Sequence, residues 1–286
     1  MSNFIQQLAL VSESSKIDLA EVTRVAAALD KQAARDFAPI WNVNSSIHAF
    51  ERLEDVPLGY WPMIVQDNIG VKGANGIHLD KDGQPYALIT SGSAWSLTAS
   101  HETLEMLADP FGNRVIAGPS LIPEQGRVSY LVEVSDPSEA AEFGYTVNDI
   151  LVSDFYTPSY FDPIQAGGVR YSFTGTITMP RQVLKNGYLS WHEPVSDHWF
   201  QATFFEAKLQ FEDIGILEAS KGSLRSQVDA RMTERMRKVT QPKKGTLVAV
   251  ARRSSRGDRS SEARAKSLRS QIVALVKQAD AATVVG

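Results

Sequence analysis

The sequence of 286 residues contains no cysteine. That excludes a disulfide framework and any metal site built on thiolates. It also lacks a run approaching the roughly 18 apolar residues that cross a bilayer, so no membrane partner is expected. The opening MSNFIQQLALVSESSK has neither the basic start, the long apolar core nor the small-residue cleavage site of a signal peptide. A cytoplasmic location, or packaging within a virion or other particle, is the expectation that follows. Aromatic residues stop at Phe211, and negative charge becomes scarce soon after. From Lys221 onward 16 Lys/Arg face 5 Asp/Glu, whereas the preceding residues hold 13 Lys/Arg against 28 Asp/Glu. Such a split marks an interaction tail on a folded body. The division expected is a domain over residues 1–219 and a basic, largely helical or flexible tail over 220–286.

What is present suits a domain with a sizeable core, since 43% of the residues are hydrophobic and 22% charged. Residues 18–38 read as a helix, with Asp18 as N-cap and Leu19, Val22, Val25, Ala26, Leu29 and Ala33 at helical spacing before Pro39. Extended runs follow at 41–50, 59–66 and 85–90. Asp82-Gly83 predicts a hairpin joining 77–79 to 86–90. Residues 93–107 read as an amphipathic helix, stopped by Pro110 and Gly112-Asn113. Residues 127–134, 147–155 and 171–177 look extended, and Asn186-Gly187 marks a turn before an aromatic run at 188–205. A long helix is expected over 206–239, weakened by Gly215 and Gly222. RRSSRGDRSS (252–261) reads as a flexible linker, with a short amphipathic helix at 262–280.

The chemistry concentrates at His101-Glu102-Thr103-Leu104-Glu105. It differs by one residue from H-E-x-x-H, in which two histidines bind zinc and the glutamate is general base. A helix sets residues i and i+4 on one face about 5–6 Å apart, so His101 and Glu105 can share an ion. Glu102 points to another side, where it can meet a metal-bound water. Asp109 lies some 12 Å farther along an unbroken helix and more plausibly braces the turn at Pro110. Glu133 and Asp136, at the end of the next extended run, are better candidates for completing the site, with Glu139 behind them. Equally, the pair could end a strand and start a turn. An oxyanion donor could come from His78, His192, His198 or Tyr188.

The segments SHETLEMLADPFGN, YLVEVSDPSEA and VSDFYTP together resemble a group of zincin-like proteins. That group carries H-E-x-x-E-x-x-x-D/N-P and a downstream E-x-x-D element, and occurs in bacteria, phages, fungi and plant Exordium-type proteins. The resemblance spans roughly residues 75–205, including DKDGQPYALI and SWHEPVSDHWFQ. Ser138 stands where many relatives have cysteine. It implies an α+β, zincin-like fold with a mixed sheet, a backing helix and a metal-site helix, followed here by the helical basic tail. It also implies His101 and Glu105 as metal ligands, Glu102 as general base, and Glu133 with Asp136 as the acidic pair. Zinc is the expected ion; calcium or manganese stay open, because carboxylates suit harder cations. One imidazole and two carboxylates would leave a zinc centre neutral and a weaker Lewis acid than an all-histidine site.

Two function classes follow. One is a metal-dependent, peptidase-like hydrolase acting on a peptide or protein substrate. The other is a structural or interaction protein of a larger assembly, such as a phage particle, on an inactive zincin-like scaffold. In either case residues 220–286 are the expected contact with an oligomer or assembly partner, with Leu268, Ile272, Leu275 and Val276 as docking face. Nucleic acid is a weaker expectation, since a tail without aromatics has no base-stacking platform.

Overall fold

Four consecutive apolar residues, Leu8 to Val11, form the middle of a strand covered on both faces. All four are fully buried in β1 (Gln6–Ser12). A parallel strand between two layers shows no polar alternation. The structure, a computed structural model, describes residues 5–71 and 74–231.

From β1 the chain enters α1 (Leu19–Gln32), where the Asp18 side chain accepts a bond from Glu21 N at 2.7 Å. A π turn at Ala33–Phe37 leads into α2 (Ala38–Trp41). Proline cannot donate to the helical ladder, and this wider turn lets the helix run past Pro39 to Trp41 instead of stopping at 38. Asn42, left-handed at φ 56°, ends it. The extended run expected at 41–50 is therefore confined to β2 (Ser45–Phe50). β3 (Trp61–Gln66), β4 (Gly76–Lys81) and β5 (Gln84–Thr90) complete a sheet of order β2-β1-β3-β5-β4. Its strands are parallel except β4, an antiparallel edge. Asp82 and Gly83 both have positive φ at the β4–β5 turn, as that dipeptide predicts.

Across this sheet lies α3 (Trp95–Ala108), which carries the motif. Every residue from Ala99 to Ala108 is buried, so the amphipathic face expected here is absent. One side meets apolar core and another meets ionisable groups instead of solvent. Polar bonds fix it against α1. Ser100 Oγ donates to Gln32 Oε1 at 2.7 Å and accepts from Ser153 N at 2.9 Å.

A second sheet, antiparallel throughout, has the order β12-β11-β10-β7-β6. Its strands are β6 (Val115–Pro119), β7 (Arg127–Leu131), β10 (Tyr188–Glu193), β11 (His198–Thr203) and β12 (Gln210–Gly215). Between β7 and β10 stands the small hairpin β8 (Tyr145–Val147) and β9 (Ile150–Val152). Positive φ at Asn148 and Asp149 breaks the single extended run expected at 147–155. Residues 171–177 are turns around buried Asp154, which accepts from Thr174 and Thr176, with one bridge between Ser172 and Tyr156. Of the helix expected at 206–239, residues 232–239 lie outside the described residues; over 206–231 stand β12 and α4 (Leu224–Arg231) instead. Gly215 (φ 74°) and Gly222 (φ 102°) turn the chain between them.

The fold is thus α+β with one mixed and one antiparallel sheet. Residues 224–231 of the expected tail pack on the body. Val228 buries against Leu131 and Trp199, and Leu224 lies alongside. The linker and helix read at 252–280 lie outside the described residues. Among the described residues no helix is long and apolar enough to cross a membrane.

Candidate metal centre

The i,i+4 spacing on α3 brings His101 Nε2 to 3.1 Å from Glu105 Oε2. The same nitrogen lies 3.1 Å from Asp136 Oδ1. Asp136 opens the short helical turn Asp136–Ser138 that follows β7. That turn is pinned onto α3 by Ser135 N, which donates to Glu105 Oε1 at 3.2 Å. From outside it is pressed inward by Gly187. A Cβ there would sit 2.5 Å from Pro137 O and 2.7 Å from Asp136 O, so only glycine permits the approach. The three donors of this first group are buried, and their ligand atoms lie within 4.8 Å of one another.

A second group shares Glu105. His78 on β4 points its Nδ1 at Glu102 Oε2 (3.4 Å) and Glu105 Oε2 (3.9 Å). Its Nε2 lies 3.2 Å from Asp109 O. A carbonyl only accepts, so Nε2 carries a proton, and while the ring is neutral Nδ1 presents a lone pair. β4 comes this close because Gly76 has no side chain. A Cβ there would lie 2.6 Å from Glu102 Oε1 and 2.5 Å from Thr98 Cγ2.

α4 supplies a cation. Arg225 Nη1 bonds to Glu105 Oε2 at 2.5 Å and to Glu133 Oε2. Nη2 stands 3.7 Å from Glu102 Oε2, and Nε 3.4 Å from Asp229 Oδ2. The helix is set in place by Arg225 N donating to Gly112 O and by Leu224 N donating to Asn113 Oδ1.

Acid outnumbers base here, and the ionisation equilibria register it. Burial pushes Asp136 up to about 7, with the Glu105 carboxylate adding to it. Burial likewise raises Glu133 and Glu139 well above the ordinary range, more than Arg225 and His101 respectively draw them back. Glu105 moves the other way: burial opposes its charge, but His101 and Arg225 outweigh it and hold it well below its usual value. His101 mirrors this, because burial favours the neutral ring while Glu105 and Asp136 hold the imidazolium well above its usual value. Several buried acceptors here find no aligned hydrogen bond: His78 Nδ1, Glu102 Oε2, Glu133 Oε1, Asp136 Oδ1 and Glu139 Oε1. Acceptors without an aligned donor, together with surplus carboxylate, are what a hard or borderline divalent cation satisfies. The residues fit such an ion.

Of the residues singled out from the sequence, His101, Glu105 and Asp136 converge. Glu102 belongs to the same cluster on the His78 side, and Glu133 is engaged by Arg225. Asp109 braces the helix end, accepting from Arg114 N at 2.7 Å. His192 and His198 lie on the β10–β11 hairpin, paired with Asp197 and Asp213. Trp191, Trp199 and Phe205 of the aromatic run are buried. From sequence His78 is a candidate oxyanion donor only; its alternation with Ile77 and Leu79 in a strand of unknown facing carries no further signal. Arg225 sits in a basic stretch and had no signal at all. No protein-family model, curated protein or solved structure matches this chain.

Proposed function

We propose that this chain is a metal-dependent hydrolase, peptidase-like, on a zincin-like scaffold. The observation that carries the reading is the convergence of His101, Glu105 and Asp136, three buried donors, with His101 Nε2 at 3.1 Å from both acids. The scaffold reading is supported by a backing helix after β1, the strand order β2-β1-β3-β5-β4, and an antiparallel edge strand beside the motif helix. His101, Glu105 and Asp136 would hold the ion; zinc fits these donors, and manganese or calcium suits their carboxylates. When bound, the ion supplies a Lewis acid and a water of lowered pKa. Glu102 would act as general base, its Oε2, which lacks an aligned hydrogen bond, accepting a proton from water and returning it to the leaving group. Asp109 O fixes the tautomer of His78.

The test is elemental analysis of the purified full chain, followed by Glu102→Gln. Retained metal with hydrolysis of a mixed peptide pool lost supports the enzyme. A chain that carries no stoichiometric ion and hydrolyses nothing overturns it.

One observation favours a second reading, an interaction protein on an inactive scaffold. The cluster is almost sealed: the side chain of His101 is 11% exposed and that of Glu105 is fully buried, and Arg225 already neutralises acids there. On that reading the basic residues beyond 220 dock an acidic partner in an assembly. Salt-sensitive association lost on deleting residues 240–286 would support it.

A further inference from the structure

Two three-donor groups share one oxygen, Glu105 Oε2. The first is His101, Glu105 and Asp136. The second is His78, Glu102 and Glu105, and the two differ in what already lies against them. Arg225 is absent from the contacts of Asp136 but reaches Glu105, Glu102 and Glu133. The guanidinium therefore stands beside the second group, where its single positive charge faces three carboxyl groups.

That pocket holds more than acids. Nδ1 of His78, on a side chain 1% exposed, and Oε2 of Glu102, on one 4% exposed, both lack an aligned hydrogen bond. Asp109 O occupies the other ring nitrogen, which leaves Nδ1 able to ligate and unable to donate while the ring is neutral. Arginine offers only donors, so it could bond Nδ1, yet no aligned bond reaches that atom, which faces the Glu102 and Glu105 carboxylates at 3.4 and 3.9 Å. A bare imidazole nitrogen beside carboxylates is a better match to a metal ion than to the guanidinium there.

We propose that the cluster is a two-cation centre bridged by Glu105, in which Arg225 holds the second position and His78, Glu102 and Glu105 bind a second divalent ion when the guanidinium withdraws. This rests on the metal reading above for the first position. α4 is the element that would have to move, and its apolar anchor is small, chiefly Val228 and Leu224 against Leu131, Trp199, Ile214 and Leu217. In this arrangement α4 docking and full metal loading exclude each other.

The experiment compares the full-length wild type with Arg225→Met and Arg225→Lys, each dialysed against Mn2+ and assayed for bound manganese and by electron paramagnetic resonance. Expected are one ion per chain in the wild type and in Arg225→Lys, and two in Arg225→Met. Two ions sharing a carboxylate couple magnetically, so the Arg225→Met spectrum should broaden relative to that of an isolated ion. Adding His78→Gln to Arg225→Met should return the count to one and the spectrum to the isolated form. Should Arg225→Met not fold without metal, Mn2+ is expected to restore its thermal melt. One ion in Arg225→Met, two uncoupled ions, or a chain that stays unfolded in saturating Mn2+ overturns the second position and leaves Arg225 a structural brace. No bound ion in any variant overturns the metal centre itself.

Discussion

At the scale of single residues the cluster converts proton equilibria into stability. His101 and Asp136 both titrate above their unfolded values, the first through its carboxylate neighbours and the second through burial. The folded protein therefore binds more protons than the unfolded chain, and without metal its stability should fall as pH rises through the window ending near 7 for Asp136. Glu105, held low, contributes in the opposite sense and only at acid pH, where its stabilisation is lost as pH falls. A bound divalent ion needs neutral imidazole and ionised carboxylates, so its stabilising effect grows with pH. Melts in chelator and in Zn2+, taken from about pH 5 to about pH 8, should diverge progressively. Asp136→Asn should flatten the chelator series and remove much of the zinc effect. Parallel curves would mean that no ion enters this cluster. A second prediction concerns Gly76. Gly76→Ala puts a methyl against Glu102 Oε1 and Thr98, at a cost of about 1–3 kcal/mol as overpacking. In a denaturant titration the unfolding free energy should drop by that amount, and the midpoint with it. In the hydrolase reading, activity should fall more than the metal content, because Glu102 is displaced and the ligands are not.

At the scale of elements, close backbone approach positions the acidic turn. Gly187→Ala would force a Cβ against two carbonyl oxygens of residues 136 and 137, neither of which is a movable side-chain tip. The expected loss is about 1–3 kcal/mol of stability together with weaker metal binding, read by a melt and by competition with a chelator. If stability drops with metal affinity unchanged, Asp136 is not a ligand. This scale also divides what the sequence discloses from what it hides. The Asp18 cap, the apolar spacing of α1 and the Asp82-Gly83 turn are local signals, and each is found where local chemistry puts it. β1 is hidden, because a doubly buried strand of four apolar residues has no period to read. β12 is mistaken for helix, because an exposed edge strand with two carboxylates lacks alternation strong enough to compete. At the site, the His101–Glu105 contact follows from helix geometry alone. Partners from other elements, His78 and Arg225 above all, are set by tertiary packing that spacing does not encode.

At the scale of the whole molecule the question is where the body ends. Charge composition divides the chain near residue 220, yet the residues just beyond carry the guanidinium that pairs with buried Glu105 and Glu133. Without α4, Glu105 and Glu133 would lose the arginine that stands between them. Removing one partner from a buried pair costs about 3–5 kcal/mol, because the remaining charge stays desolvated. The apolar anchor of Val228 and Leu224 adds to that. A chain ending at Gly222 should therefore be less stable than one ending at Arg231 by at least about 3 kcal/mol in chelator. A divalent ion should narrow the gap, since it can neutralise the acids in place of the guanidinium. Paired urea titrations of the two truncations, with and without Zn2+, measure this directly. Equal midpoints in chelator would show that α4 is an appendage and that the acids tolerate its loss by taking up protons. A gap that zinc leaves untouched would make the anchor, and not the charge, the reason these nine residues belong to the body.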